Sequence, residues 1–140
     1  MRDGDPIRAV IRNTGVNQDG KTAGITMPNG HAQASLIRSV YRSAGVEPLM
    51  TDYVEAHGTG TATGDPIEAA ALGEVFGRSP DQSAVVIGSI KSNIGHLEAM
   101  SGIASVIKAA LMLERRFYLP NCDLQTLNSK IPFQKLHIKV

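Results

Sequence analysis

The stretch Glu55-Ala-His-Gly-Thr-Gly-Thr-Ala-Thr-Gly-Asp-Pro-Ile-Glu68 constrains the fold more than any other part of the sequence. It begins as a strand, Tyr53 to Ala56, and ends as a helix start. Asp65 has the character of a cap, Pro66 suits the first helical position, and Glu68 stands three residues after the cap. Between them Gly58, Gly60 and Gly64 alternate with Thr59, Thr61 and Thr63. Glycine lets the backbone bend sharply and a ligand approach closely, and threonine supplies hydroxyls. His57 falls where the strand ends, a frequent place for chemistry in α/β folds. Lys91-Ser-Asn-Ile-Gly-His96 repeats the arrangement after a second apolar strand and before another helix.

The remaining pattern predicts alternating strands and helices. Ile7 to Arg12 reads as a strand and Asn13 to Gly30 as a polar loop. A helix over about His31 to Ala44 carries Leu36, Ile37, Val40, Tyr41 and Ala44 on one face, with Gly45 as its stop. The helix from Asp65 sets Ile67, Ala71 and Val75 on one side and ends at Gly77. Ala84 to Ile90 is a nearly continuous apolar strand, as expected when both faces are covered. A helix over about Ala99 to Arg116 places Ile103, Val106, Ile107, Ala110 and Leu111 on one face. The tail is predicted to end in a strand at Leu136 to Val140. This order argues for α/β layers with helices against a sheet. One unit is predicted over residues 1–140: strand and loop to 30, a core over 31–116 bearing both histidine motifs, and an irregular tail over 117–140.

Composition narrows the function. The formal net charge of +1 and an aromatic content of 4% disfavour nucleic acid and anionic membranes as partners. Ile103 to Leu113 is the most apolar segment, but Lys108 interrupts it and it is too short to span a bilayer. The single cysteine, Cys122, permits no internal disulfide and fits a reducing, cytoplasmic setting. No i, i+4 histidine pair and no second cysteine support a metal site. His31 and His137 are expected to be ordinary hydrogen-bonded residues, and Cys122 a structural one.

Gly15-Val-Asn-Gln-Asp-Gly-Lys21-Thr22 satisfies the P-loop pattern, which makes a nucleotide binder an alternative to weigh. A working P-loop needs a helix to begin at its Lys-Thr pair, so that amides meet phosphate. Gly24, Pro28 and Gly30 oppose a helix there. His57 and His96 form the stronger signal. Two imidazoles on neighbouring strand ends can donate to one carbonyl oxygen, an oxyanion- or enolate-stabilising device. Lys91 would bias the local charge and could hold a carboxylate.

Val54 to Glu68, together with Gly88-Ser-Ile-Lys91-Ser-Asn-Ile-Gly-His96-Leu-Glu98 and its continuation to Gly102, resembles the β-ketoacyl synthase (ketosynthase) domain of type I polyketide synthases. The resemblance extends from Val16-Asn-Gln-Asp-Gly20 and Pro28-Asn-Gly30 to the tail, and Asn17 to Gly30 looks most like the fungal iterative, reducing type. It implies a thiolase-like fold layered α-β-α-β-α, present in part, and a decarboxylative Claisen condensation of malonyl and acyl thioesters. It implies that His57 and His96 polarise the malonyl thioester carbonyl, that Lys91 accompanies them, and that Thr59 and Thr61 hydrogen-bond the phosphopantetheine arm of an acyl carrier protein. No directly bound cofactor is implied. Partners implied are the carrier protein, the acyltransferase and other domains of the same synthase, and a second copy in a homodimer. The family's nucleophilic cysteine, set in a run of Ser and Ala upstream of the histidines, has no counterpart here, and Cys122 lies in the wrong context. The chain thus looks like the interior and early C-terminal half of such a domain, inactive alone. A non-catalytic thiolase-fold module that binds a carrier protein or thioester is the other reading.

The residues after Thr22 predict no specific binding of ATP or GTP. Titration calorimetry should show none; Mg-dependent binding that is lost in Lys21→Met would overturn the expectation.

Overall fold

The computed structural model describes residues 3–140. Three parallel strands form one sheet in the order β1-β2-β3: β1 (Tyr53–Glu55), β2 (Val85–Gly88) and β3 (Ile138–Lys139). β1 pairs with β2 in the register Tyr53↔Val86, Val54↔Ile87 and Glu55↔Gly88, and Val85 of β2 stands opposite Ile138. The helices are α1 (Gly30–Ala44), α2 (Gly64–Phe76), α3 (Lys91–Ile94), α4 (Ser101–Arg115) and α5 (Phe133–Leu136).

Local chemistry explains most boundaries. Asn29 caps α1 by accepting the Ala32 N–H at 3.1 Å. Gly45 closes it in the left-handed region, φ 64°, with its N–H on Arg42 and Tyr41 carbonyls. α1 packs on α2, and Tyr41 meets Phe76 edge to face with ring centroids 5.4 Å apart. Ala69, Ala71, Leu72, Val75 and Phe76 of α2 join Val85, Ile87 and Ile138 of the sheet in the core. Val85 is fully buried, as a strand covered on both faces requires.

The structure departs from expectation in four places. Residues 7–12 form no strand, because no strand of the sheet lies beside them; Ile7, Val10 and Ile11 are exposed. An ion pair between Arg8 and Glu114 holds that segment instead, and Asn13 donates to the Val40 carbonyl at 3.2 Å. The strand predicted over Ala84 to Ile90 ends at Gly88, and the chain turns into the short α3. α4 buries Ser101, Lys108 and Met112, leaving Ile103, Val106, Ile107 and Leu111 exposed. The predicted apolar face of α4 therefore faces outward, because the inward face is set by a polar contact of Lys108. Asp65 does not cap α2: Thr63 occupies the cap position without a side-chain hydrogen bond, and Asp65 and Glu68 turn back to the glycine loop. The Gly15 to Thr22 loop is followed by a turn, and the next helix begins at Gly30. Among the described residues no helix is long and apolar enough to cross a membrane.

Ile103 and Ile107 are more than half exposed on one stripe of α4, and exposed apolar area of this kind favours association. Sedimentation of the 140-residue chain should show self-association that Ile103→Gln with Ile107→Gln reduces. A parental chain that sediments as a clean monomer overturns this.

Candidate active site

β1 and β2 run parallel, so their C-terminal ends open at the same edge of the sheet. His57 follows β1 and His96 follows α3 beyond β2. Their rings meet edge to face, with centroids 5.4 Å apart and planes at 87°. Both are exposed. The structure thus brings together the two histidines that lie 39 positions apart in sequence.

The loop bearing His57 is held by carboxylates. Glu68 accepts the His57 N–H at 2.7 Å on one oxygen and the Gly58 N–H at 2.9 Å on the other. Asp65 accepts the Gly60 and Thr61 N–H groups, both at 3.1 Å. Charge-assisted bonds of this kind are the stronger class. They explain why acids follow the glycine run: the first turn of α2 braces the loop rather than its own N-terminus. Gly58 sits at φ 48°, and a Cβ there would lie 2.9 Å from the Ser89 Cβ. Gly88 is forced by contact too, since a Cβ would run into the Tyr53 ring and hydroxyl.

His96 is fixed through Nδ1. The Glu98 backbone N–H donates to Nδ1 at 3.0 Å, and the Ser101 hydroxyl lies 2.9 Å from the same nitrogen. A backbone N–H can only donate, so Nδ1 is an acceptor. The neutral ring therefore carries its proton on Nε2, which is left as a donor. Glu98 takes a left-handed φ of 51° in presenting that N–H.

A cleft of about 460 Å³ opens beside His96, lined in part by Thr59, Lys91, His96 and Cys122; His57 itself does not line it, although its neighbours Ala56 and Gly58 do. Lys91 begins α3, and among the described residues no carboxylate pairs with it. Thr59 lies on the cleft, whereas Thr61 turns into the loop, its hydroxyl oxygen accepting the Gly64 N–H at 3.1 Å. Cys122 is exposed, and its N–H donates to the Ser92 hydroxyl at 3.2 Å. His137 is hydrogen-bonded to the Gln82 carbonyl at 2.7 Å, and His31 lies exposed on α1.

Several supporting residues were not legible as such. Asn121, from the tail, accepts the Ser89 N–H at 2.9 Å and donates to the Ile87 carbonyl at 3.4 Å, closing the end of β2. Ser101 carries no motif of its own. Glu68 did have a signal, an acid placed just past a glycine run, but it reads first as part of a helix cap.

Replacing Glu68 by Ala leaves two loop amides without their acceptor, a loss of about 1.5–3 kcal/mol for each bond to a charged group when well buried and less here, where His57 is exposed. Amide exchange at His57 and Gly58 should accelerate in Glu68→Ala, with Gly60 and Thr61 close to parental. Unchanged exchange at His57 would show that Glu68 does not brace the loop.

A sequence profile described as the C-terminal domain of β-ketoacyl synthase matches residues 8–125. Highly-reducing polyketide synthase 1 of Aureobasidium melanogenum is 57% identical over 142 residues, covering 100% of this chain and 6% of that protein. The highly reducing polyketide synthase tstA of Talaromyces stipitatus is 58% identical over 139 residues, covering 98% of this chain and 5% of that protein. The chain thus spans about one-twentieth of the length of these relatives. Among solved structures, the ketosynthase from module 6 of the bacillaene synthase of Bacillus subtilis 168 is 42% identical with a TM-score of 0.91, over 99% of this chain and 25% of that one. An oxazolomycin ketosynthase domain of Streptomyces albus is 37% identical with a TM-score of 0.91, over 99% of this chain and 24% of that one. The fold is accordingly the thiolase-like α/β fold of ketosynthases, present in part. With most of its length matched by that profile and nearly all of it by those structures, the chain belongs to the β-ketoacyl synthase family.

Proposed function

We propose that this chain supplies the two-histidine side of a ketosynthase active site in a reducing polyketide synthase of fungal type. The observation that carries the reading is the 5.4 Å approach of His57 and His96, with His96 held as an Nε2 donor. Two donors at one edge of the sheet suit a single oxygen that gains negative charge.

Malonyl thioester, delivered on the phosphopantetheine arm of an acyl carrier protein, would place its thioester carbonyl at the pair. The bond to the carboxylate breaks, carbon dioxide leaves, and its electron pair flows into the thioester as an enolate. The enolate oxygen takes the hydrogen bonds of His57 and His96. The enolate carbon then attacks an acyl thioester held on a cysteine supplied from outside these residues, and the cysteine thiolate departs. Lys91, with no ion pair among the described residues, would bias the site toward the anionic substrate. Thr59, on the cleft wall, would bond the arm, and Thr61, whose oxygen accepts the Gly64 N–H within the loop, would have its own hydroxyl proton left to offer. Partners of this reading are the carrier protein, the acyltransferase and other domains of the synthase, and a second copy in a homodimer. The single cysteine favours a reducing, cytoplasmic setting.

In the complete synthase, His57→Ala and His96→Ala should each slow malonyl decarboxylation by roughly a hundredfold or more, the scale of losing one oxyanion donor. Acylation of the cysteine should suffer less. The test is carbon dioxide release from malonyl-carrier, set beside acyl-enzyme formation. Decarboxylation at the parental rate in either variant sinks the shared-oxygen role.

A further inference from the structure

The Glu55 carboxylate, at the last residue of β1, is buried and takes three donors. The Ile90 N–H reaches one oxygen at 2.5 Å. The Lys108 ammonium reaches the other at 2.7 Å, and the Tyr53 hydroxyl bonds to the same oxygen. Lys108 also donates to the Tyr53 hydroxyl at 2.8 Å, and only 3% of the lysine is exposed. Burial first, then the bond to Glu55 and its negative charge, push the Tyr53 hydroxyl well above the ordinary tyrosine range, so it remains a donor.

The placement of this cluster matters more than its charge. The ladder between β1 and β2 ends at Glu55 opposite Gly88, with the Ala56 N–H on the Gly88 carbonyl at 2.7 Å. Beyond that point the two loops separate, one to His57 and one to Lys91 and His96. Ser89 donates to the His57 carbonyl at 3.4 Å, a long bond. The Glu55–Ile90 bond is the shorter bridge past the ladder. Glu55 stands two residues before His57, and Ile90 stands one before Lys91. Lys108 extends the same hold to α4, whose first residue, Ser101, lies against His96 Nδ1. Ser101 and Lys108 are seven positions apart, two helical turns, so both face inward.

We infer that Glu55 is a positioning residue for the histidine pair: its carboxylate, with Lys108 as buried counter-charge, sets where Lys91 and His96 stand relative to His57. This rests on the decarboxylation role proposed above. A buried ion pair adds little net stability over a well-packed apolar replacement, so its effect is expected in geometry rather than in folding.

The experiment uses two charge-neutral double variants of the complete synthase. Glu55→Gln with Lys108→Met keeps a carbonyl acceptor for the Ile90 N–H; Glu55→Leu with Lys108→Met removes it. Decarboxylation of malonyl-carrier, acylation of the nucleophilic cysteine and thermal melting are measured on each, with His57→Ala alongside. The Gln variant is expected to decarboxylate near the parental rate. The Leu variant should be about a hundredfold slower, the scale of a misplaced reacting group, with melting matched to the Gln variant and acylation near parental. Equal decarboxylation in the two double variants overturns the inference. So does a Leu variant that fails to fold, or that loses both half-reactions in proportion, since either outcome marks a structural role. His57→Ala decarboxylating at the parental rate would instead remove the underlying reading. A slow His57→Ala beside a fast Leu variant sinks the positioning role alone.

Discussion

The buried contact between Glu55 and Lys108 joins parts of the chain that hydrogen-bonded secondary structure alone leaves separate. Through one carboxylate it binds the end of β1, the turn after β2 and the middle of α4. Such a pair has two energetic sides. Desolvating both charges offsets most of their attraction, yet removing one partner alone strands a buried charge and costs about 3–5 kcal/mol. Here each charge is further satisfied, Glu55 by the Ile90 amide and Lys108 by the Tyr53 hydroxyl. Tyr53 completes the enclosure by stacking on Tyr118 at 5.6 Å between ring centroids. The orientation of α4 follows from this contact. With Lys108 turned inward, Ile103 and Ile107 must turn out.

A sheet of three short strands can set the direction of the loops at its edge but not their detailed course. That course is fixed by side chains that accept from main-chain amides. Glu68 takes two amides of the His57 turn, Asp65 takes two more, Asn121 closes the exit of β2, and Glu55 spans the gap. Loops leave amides without ladder partners, and acceptors placed on rigid elements satisfy them while holding the backbone still. Three of these four acceptors are carboxylates on the segments that carry or hold His57 and Lys91. They are tied to backbone amides, and among the described residues none of them pairs with Lys91 at the cleft.

The histidines illustrate a division of labour between backbone and side chain. His57 is held by its own amide, through Glu68, and its ring meets that of His96. His96 is held by its ring, through the Glu98 amide and Ser101. The second arrangement also chooses a tautomer, because a main-chain N–H leaves the imidazole nitrogen no option but to accept. A hydroxyl alone would not make that choice, since it can donate or accept.

Much of this protein could be read directly from its residues. The alternation of strand and helix, the stop of α1 at Gly45, the buried run of β2 and the two histidine-bearing turns all follow from local periodicity and turn chemistry. Such signals are local, and local signals survive in sequence. The strand expected at residues 7–12 failed because a strand is defined by its neighbour, and β-branched residues cannot supply one. The buried face of α4 is not legible in periodicity, which marks an apolar stripe without saying that a buried lysine has a carboxylate waiting for it 53 positions earlier. Asp65 and Glu68 read as a cap because their true partners, the amides of the glycine loop, become acceptable only once that loop folds back over α2. The sequence by itself determined which residue types stand at the two strand ends. The tertiary structure decided that the rings meet, which nitrogen of His96 donates, and which carboxylates hold the backbone between them, because those depend on distances between segments remote in the chain.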